Sequence, residues 1–335
     1  MHKTLYQQIA TLAALAALAG AAQAQSGVTI YGSIDGGLRK QTNVNAAGDS
    51  KLSVGSNGQY YPNRLGFIGS EDLGGGLKAH FKLESGFNTG TGALDNASNR
   101  LFNRSSWVGL SGKWGQVNFG HQYTIAFFTA NDYDPFNYKY AYIIPVSAAT
   151  AGGRYDNNIQ YTGSFGAYKV RAEYAPGENA GSSRTNTAKA VGISYAEGAL
   201  SWGGAYSSRD VETFADKHFT LGGAYKSGPL RVAAGYMDDK LATVSGVDST
   251  TKNAWGGLSY EVAPQIIVTG AYYQTKVAVA KVDGARKLFM LGAVYYLSKR
   301  TNLYADIDHA KLSGRSRIGT QTSQTGISIG IDHLF

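Results

Sequence analysis

Ala190–Tyr206 reads AVGISYAEGALSWGGAY, and its alternation decides the fold. Val191, Ile193 and Tyr195 share one face of an extended chain, and Leu200, Trp202, Gly204 and Tyr206 share one face of the next. Between them Glu197-Gly198-Ala199 leaves room only for a tight turn. Each run ends in a tyrosine. The same beat runs through Tyr161, Tyr174, Tyr195, Tyr206, Tyr225, Tyr236, Tyr260, Tyr272 and Tyr296, at intervals of 13, 21, 11, 19, 11, 24, 12 and 24 residues. A short interval holds one strand and a tight turn; a long one adds a loop of about ten residues. Aromatic-ended apolar faces, with connections alternating between short and long, predict a transmembrane β-barrel with aromatic girdles.

The rest of the chain extends the pattern to sixteen strands. The first runs near Val28–Lys40, the second near Asn63–Glu71 and the third over Leu77–Asn88. In the third, Lys78, His80, Lys82 and Glu84 oppose Leu77, Ala79, Phe81 and Leu83. Strands near Phe102–Ser111 and Gln116–Gln122 follow. The longest connection comes next, at 123–153. The last two strands lie near Asn302–Lys311 and Thr325–Phe335. Closure is a physical requirement, because hydrocarbon offers no partner to an unpaired backbone N–H or C=O. An even strand count returns both ends of the sheet to the short-turn side. A barrel of this strand number encloses water rather than side chains.

Composition narrows the class. Residues 1–24 read as a signal peptide: Lys3 is basic, Leu12–Leu18 is apolar, and Ala22-Gln23-Ala24 is a small-x-small cleavage site. Residues 25–335 then form one barrel domain. No other stretch approaches the roughly twenty continuous apolar residues of a membrane helix. The mean hydropathy of −0.22 does not argue against a barrel, in which only alternate side chains meet lipid. With no cysteines, disulfides and metal–thiolate sites are excluded. The net charge of +8 is scattered without a Lys/Arg run, which argues against a nucleic-acid partner. The six histidines are scattered too, at His2, His80, His121, His218, His309 and His333, and no pair has metal-ligand spacing. An outer-membrane hydrolase would need nucleophile, base and orienter together. The reading is therefore a non-enzyme without cofactor or metal.

Several segments resemble the trimeric general-diffusion porins of Gram-negative outer membranes, in particular their β-proteobacterial branch. They are Val28-Thr29-Ile30-Tyr31-Gly32 with Ile34-Asp35; Asn63-Arg64-Leu65-Gly66-Phe67 with Gly69 and Glu71-Asp72-Leu73-Gly74-Gly75-Gly76; Phe102-Asn103-Arg104 with Val108-Gly109-Leu110; and Leu297-Ser298-Lys299-Arg300-Thr301 with Leu303-Tyr304. The resemblance spans the chain after the leader. It implies a homotrimer of sixteen-stranded antiparallel barrels in the outer-membrane lipid, each with a long third loop folded into its pore. It also implies that Phe335 is the terminal aromatic recognised for membrane insertion. The loop at 123–153 sits where that third loop belongs, and its Asp132 and Asp134 would be the acids of a pore constriction. The family's wall arginines match Arg64 and Arg154. A third would fall at His121, where this chain departs, and Ile68 replaces another basic residue. Alternation puts Lys78, Lys82, Arg39, Lys169 and Arg171 on the lumen face, with acids such as Asp35, Glu84, Glu173, Asp306 and Asp308. Simple parity would place Arg104 toward lipid, so it lies either above the bilayer or past a bulge. The expectation is a passive, water-filled channel for ions and small hydrophilic solutes, weakly anion-selective. A solute-specific channel is the alternative.

Overall fold

The computed structural model describes residues 27–54, 59–140, 143–144, 153–211, 214–241 and 248–335. The leader at 1–24 and part of the long loop lie outside them. Strand β1 (Gly27–Gln41) is followed by a short strand β2 (Lys51–Val54), and then by β3 (Arg64–Gly74), β4 (Leu77–Gly86), β5 (Ser105–Gly112) and β6 (Gly115–Tyr123). One helix, α1 (Ile125–Tyr133), opens the long connection. After it come β7 (Arg154–Phe165), β8 (Tyr168–Ala175), β9 (Ala188–Glu197), β10 (Leu200–Val211), β11 (Phe214–Ser227), β12 (Leu230–Leu241), β13 (Ser249–Ala263), β14 (Ile266–Val279), β15 (Val282–Tyr296), β16 (Thr301–Gly314) and β17 (Ser323–Leu334).

From β3 onward each strand pairs antiparallel with the next, and β17 returns to pair with β1 over Ser33–Gln41. The opposite edge of β1 takes β3 over Gly27–Ser33 and β2 over Leu38–Gln41. Sixteen strands therefore close the barrel, and β2 is an extra piece of the first long connection. Between those two pairings the edge of β1 is satisfied by side chains: Asn63 Oδ1 accepts from Asp35 N at 2.6 Å, and Gln59 Nε2 donates to Gly37 O at 3.2 Å. At the seam Phe335 and Gly32 exchange backbone hydrogen bonds of 3.0 and 3.2 Å.

The expected alternation holds. Val191, Ile193, Trp202, Tyr206, Leu221, Tyr225, Leu258, Tyr260, Tyr272, Ile327 and Ile329 are exposed, whereas their neighbours Ala190, Ala205, Thr220 and Ser328 are buried. A water-soluble sandwich would bury the large residues; this sheet turns them outward. Every short tyrosine interval contains a tight turn, at 166–167, 198–199, 228–229 and 264–265. The beat misplaces one ring. Tyr295 is the outward aromatic of β15, and Tyr296 packs on the inner cluster.

The sequence predicts no helix in the long connection, yet Thr124 caps one by accepting from Phe127 N at 3.1 Å. Helix α1 packs on β8–β12. Glycines of the wall make room for it. A Cβ on Gly222 would lie 2.7 Å from the Cβ of Tyr133, and one on Gly192 would lie 2.5 Å from Ile125. Trp255 Nε1 donates to Tyr133 O at 3.0 Å. Beyond the helix Phe136, Tyr138, Tyr140, Ile143 and Ile144 are buried with Tyr60, Tyr273 and Tyr304 in the main apolar cluster.

Candidate functional site

Alternation along β3, β4 and β8 delivers Arg64, Lys82 and Arg171 to the inner face. The ends of neighbouring segments add Arg104, just before β5, and Arg154, the first residue of β7. With Lys139 from the long loop, these six cations line one cavity of about 900 Å³. No carboxylate stands among its described lining residues.

The cations are gathered by Glu84, set behind them, with Asp95 a more distant second acid 3.9 Å from Arg104 Nη1. Glu84 has no exposed side-chain surface, and its Oε1 accepts from Arg104 Nε at 2.9 Å. Its Oε2 lies 3.3 Å from Lys82 Nζ and 3.8 Å from Arg64 Nη1, and accepts from the Tyr31 hydroxyl at 2.7 Å. Arg104 Nη2 also donates to the Tyr123 hydroxyl at 2.7 Å. Arg154 Nη2 donates to the same oxygen, and Arg154 Nε donates to Arg104 O at 2.7 Å. The Arg154 guanidinium sits 3.9 Å from the Tyr123 ring centroid. Three cations share one carboxylate and two share one phenol oxygen, so the wall keeps an excess of positive charge in fixed positions.

The facing surface is aromatic. Phe127 stacks on Tyr123 at 4.1 Å between centroids, and Tyr138 meets Phe127 at 4.7 Å. Arg171 lies 5.1 Å from the Phe128 centroid. Lys139 Nζ lies 3.3 Å from the centroid of Tyr61 and 4.8 Å from that of Tyr60. Burial pushes the Lys139 ammonium down to about 8.

Several expected site residues lie elsewhere. Asp134 is fully buried and acts as a loop staple. Its Oδ2 accepts from Phe136 N at 3.0 Å and Tyr138 N at 2.9 Å, and its Oδ1 accepts from the Tyr273 hydroxyl. Burial pushes its carboxyl up to about 6. Asp132 is exposed but off the cavity, with Arg171, Lys169 and Arg231 as its nearest charges. Arg231 donates to Asp132 O at 2.9 Å and Asp134 O at 3.1 Å, fixing the end of α1. His121 does not line the cavity. His121 has the strand parity of the outward Phe119, whereas Gln122, with Asn118, turns inward, and His121 pairs with Asp156 at 2.6 Å beside Arg100. Lys78 shares the Lys82 face but is exposed near the β3–β4 turn, away from the cavity. Arg39 is on another part of the wall, 2.7 Å from Asp308 and 3.6 Å from Asp306. Arg64, Arg154 and Lys82 lie together on the cavity.

The residues that strand parity missed are Arg104 and Tyr123. Arg104 lies before β5 begins, so strand parity does not govern it; its backbone N donates to Glu84 O at 3.1 Å. Gly326-Ile327-Ser328-Ile329-Gly330 has nucleophile-elbow spacing, but it is the regular interior of β17. Ser328 there accepts from Arg39 at 2.9 Å and meets no strand-to-helix turn.

Comparison with known proteins agrees with this architecture. The profile of the Gram-negative porin family matches residues 11–315. Outer membrane porin protein 32 of Delftia acidovorans is 33% identical, over 97% of this chain and 99% of its own. An outer membrane porin of Bordetella pertussis is 31% identical over the full length of both chains. Among solved structures, an anion-selective porin from Comamonas acidovorans superposes with a TM-score of 0.78 at 28% identity, over 92% of this chain and 100% of that one. A sixteen-stranded closed barrel with a lipid-facing apolar exterior, matched along its length by such relatives, belongs to the Gram-negative porin family of the outer membrane.

Proposed function

We propose that the protein is a general-diffusion porin with weak anion preference, and that it works as a homotrimer. Ions and small hydrophilic solutes cross it passively, down their gradients; no bond is made and no cofactor takes part. The long loop lies within the lumen and narrows it, so sterics set the size limit. Phe335 serves as the aromatic terminus read during membrane insertion.

The observation that carries the reading is the lining of the 900 Å³ cavity: Arg64, Lys82, Arg104, Arg154, Arg171 and Lys139, with the nearest acid, Glu84, shielded behind them. A ring of fixed charge tilts ion preference toward its counterion. The facing surface is aromatic rather than acidic, so the field is one-signed, not a dipole across the lumen. Arg64 and Arg154 are the residues that hold it at the narrow point, with Lys82 beside them. The anion-selective relative superposes over the whole barrel and supports the same preference.

Conductance in a planar bilayer under a potassium chloride gradient tests this. The expected result is a reversal potential on the anion side and conductance steps grouped in threes. A cation-selective reversal potential would overturn the preference, and ungrouped steps would overturn the trimer.

A further inference from the structure

Six lysines form an unbroken ladder on the outside of the barrel, across six consecutive strands. Lys217 of β11 is directly opposite Lys240 of β12. Lys252 of β13 is directly opposite Lys276 of β14. Lys287 of β15 is directly opposite Lys311 of β16. The three pairs are joined by diagonal steps. Lys240 opposes Thr250, two residues from Lys252; Lys276 opposes Ala285, two residues from Lys287. Direct partners have Cβ atoms about 5 Å apart and diagonal ones about 7–8 Å. All six side chains are exposed and share strand parity with the outward apolar residues. Phe219 and Phe289 lie one step along the same face from Lys217 and Lys287.

Like charges directly opposite one another destabilise a sheet, and this chain has three such pairs in a row. Among the described residues five of the six have no carboxylate within ion-pair distance. Among the described residues Asp238 is the one carboxylate in ion-pair contact with any of the six, 3.4 Å from Lys252. Asp216, His218 and Asp239 lie at the same level but on the inner face, behind the sheet. The anions must therefore come from outside the wall. The ladder lies at the long-connection end of the strands, just beyond the apolar band, at the depth of lipid headgroups in the outward-facing leaflet.

We propose that this ladder is a docking surface for phosphate-bearing lipid headgroups of the outer leaflet. Each lysine pair brackets one phosphate. Successive pairs are two strands apart, about 10 Å, so a headgroup carrying two phosphates on a sugar spacer engages neighbouring pairs. The six lysines neutralise the headgroups, and the phosphates remove the repulsion within the barrel. Lipid and protein then stabilise each other, independently of solute passage through the lumen.

Thermal unfolding of the purified full chain in neutral detergent, titrated with diphosphoryl lipid A, tests the assignment. Wild type is expected to gain stability as lipid is added. The variant Lys217→Gln/Lys252→Gln/Lys287→Gln, one lysine from each pair, is expected to unfold no earlier than wild type without lipid, since repulsion is relieved. It is expected to need about 100-fold more lipid for the same gain, about fivefold per lysine. Lys→Arg at the same three positions should retain wild-type binding. Should the triple glutamine variant fail to refold, Lys287→Gln alone carries the test, with an expected loss of about fivefold. The proposal is overturned by wild-type lipid affinity in the glutamine variants. An equal loss in the short-turn control Lys113→Gln/Lys226→Gln/Lys299→Gln also overturns it. So does the same stabilisation from inorganic phosphate alone, which would identify the occupant as a free anion.

Discussion

Arg104 Nε and Glu84 Oε1 lie 2.9 Å apart, with the carboxylate wholly withdrawn from solvent and the guanidinium between it and the cavity. Glu84 thus assembles the basic wall while being hidden from the ions that pass. Removing its charge has two opposite consequences. Glu84→Gln leaves Arg104, Arg64 and Lys82 without their shared counterion, so the anion preference should rise. It also leaves the buried Arg104 guanidinium with only Asp95, 3.9 Å away, as a counter-charge, at a cost of up to about 3 kcal/mol. Reversal potential and denaturant unfolding of one preparation measure both. A variant with lower anion preference would show that Glu84 does not offset the wall.

Arg154 sits over the Tyr123 ring and shares that hydroxyl with Arg104. It contributes a full charge to the lining, and no carboxylate lies within ion-pair distance of it among the described residues. A charge acting on an ion 4 Å away through water-like surroundings is worth about 1 kcal/mol. Arg154→Ser should therefore lower the anion-to-cation permeability ratio by up to about fivefold. Lys78→Ser, on the same strand face as Lys82 but at the turn, should leave the ratio nearly unchanged. Equal effects of the two in bilayer recordings would mean that the charge of the whole vestibule, not of this wall, sets selectivity.

Lys139 gives the channel a pH dependence. Burial holds its ammonium down at about 8, against the ordinary value of 10.5. Its charge is lost as the pH rises from 7 to 9, and the anion preference should fall over that window. The sign for stability is opposite. A depressed pKa means that the folded state holds fewer protons than the unfolded chain between pH 8 and 10.5. The contribution of Lys139 to stability is therefore fully present above 10.5 and is lost as pH falls through 8. Lys139→Gln should flatten the selectivity profile between pH 7 and 9. A profile with the same slope in the variant would assign the titration to another group.

The strands were legible because lipid and water enforce a strict two-residue period, and the turns because their lengths alternate. Lys82 and Arg171 followed from alternation, being regular positions within β4 and β8, and Arg64 came from the resemblance. The failures have local causes. His121 was placed on the wall by the family pattern, from its position after Gly120, but it has the strand parity of the outward Phe119 and does not line the cavity. Arg104 escaped parity because it precedes its strand. Asp134 looked like a free acid because the sequence cannot reveal that Tyr273, 139 residues away, closes over it. The helix α1 was missed because its apolar residues show no one-sided helical period and its first turn carries no acidic residue. Its partners are wall glycines, and a glycine in a strand reads equally well as a lipid-facing gap.

Gly222 is the seat beneath the tethered end of the helix. A Cβ there would lie 2.7 Å from the Cβ and 2.9 Å from the Cγ of Tyr133, while the carbonyl of Tyr133 is tethered to Trp255 Nε1 at 3.0 Å. Tyr133 cannot rise from the wall without breaking that bond, and it cannot stay if a side chain appears beneath it. Gly222→Val should therefore cost about 1–3 kcal/mol, as overpacking does, and drive the end of α1 toward the barrel axis. Because the loop narrows the lumen in the function proposed above, single-channel conductance should fall, with added current noise from a loop held less firmly. Gly36→Val is the control: its added Cβ meets nothing within 4 Å. Conductance and unfolding measured for both variants decide the matter. Wild-type values for Gly222→Val would show that α1 does not depend on this contact for its position.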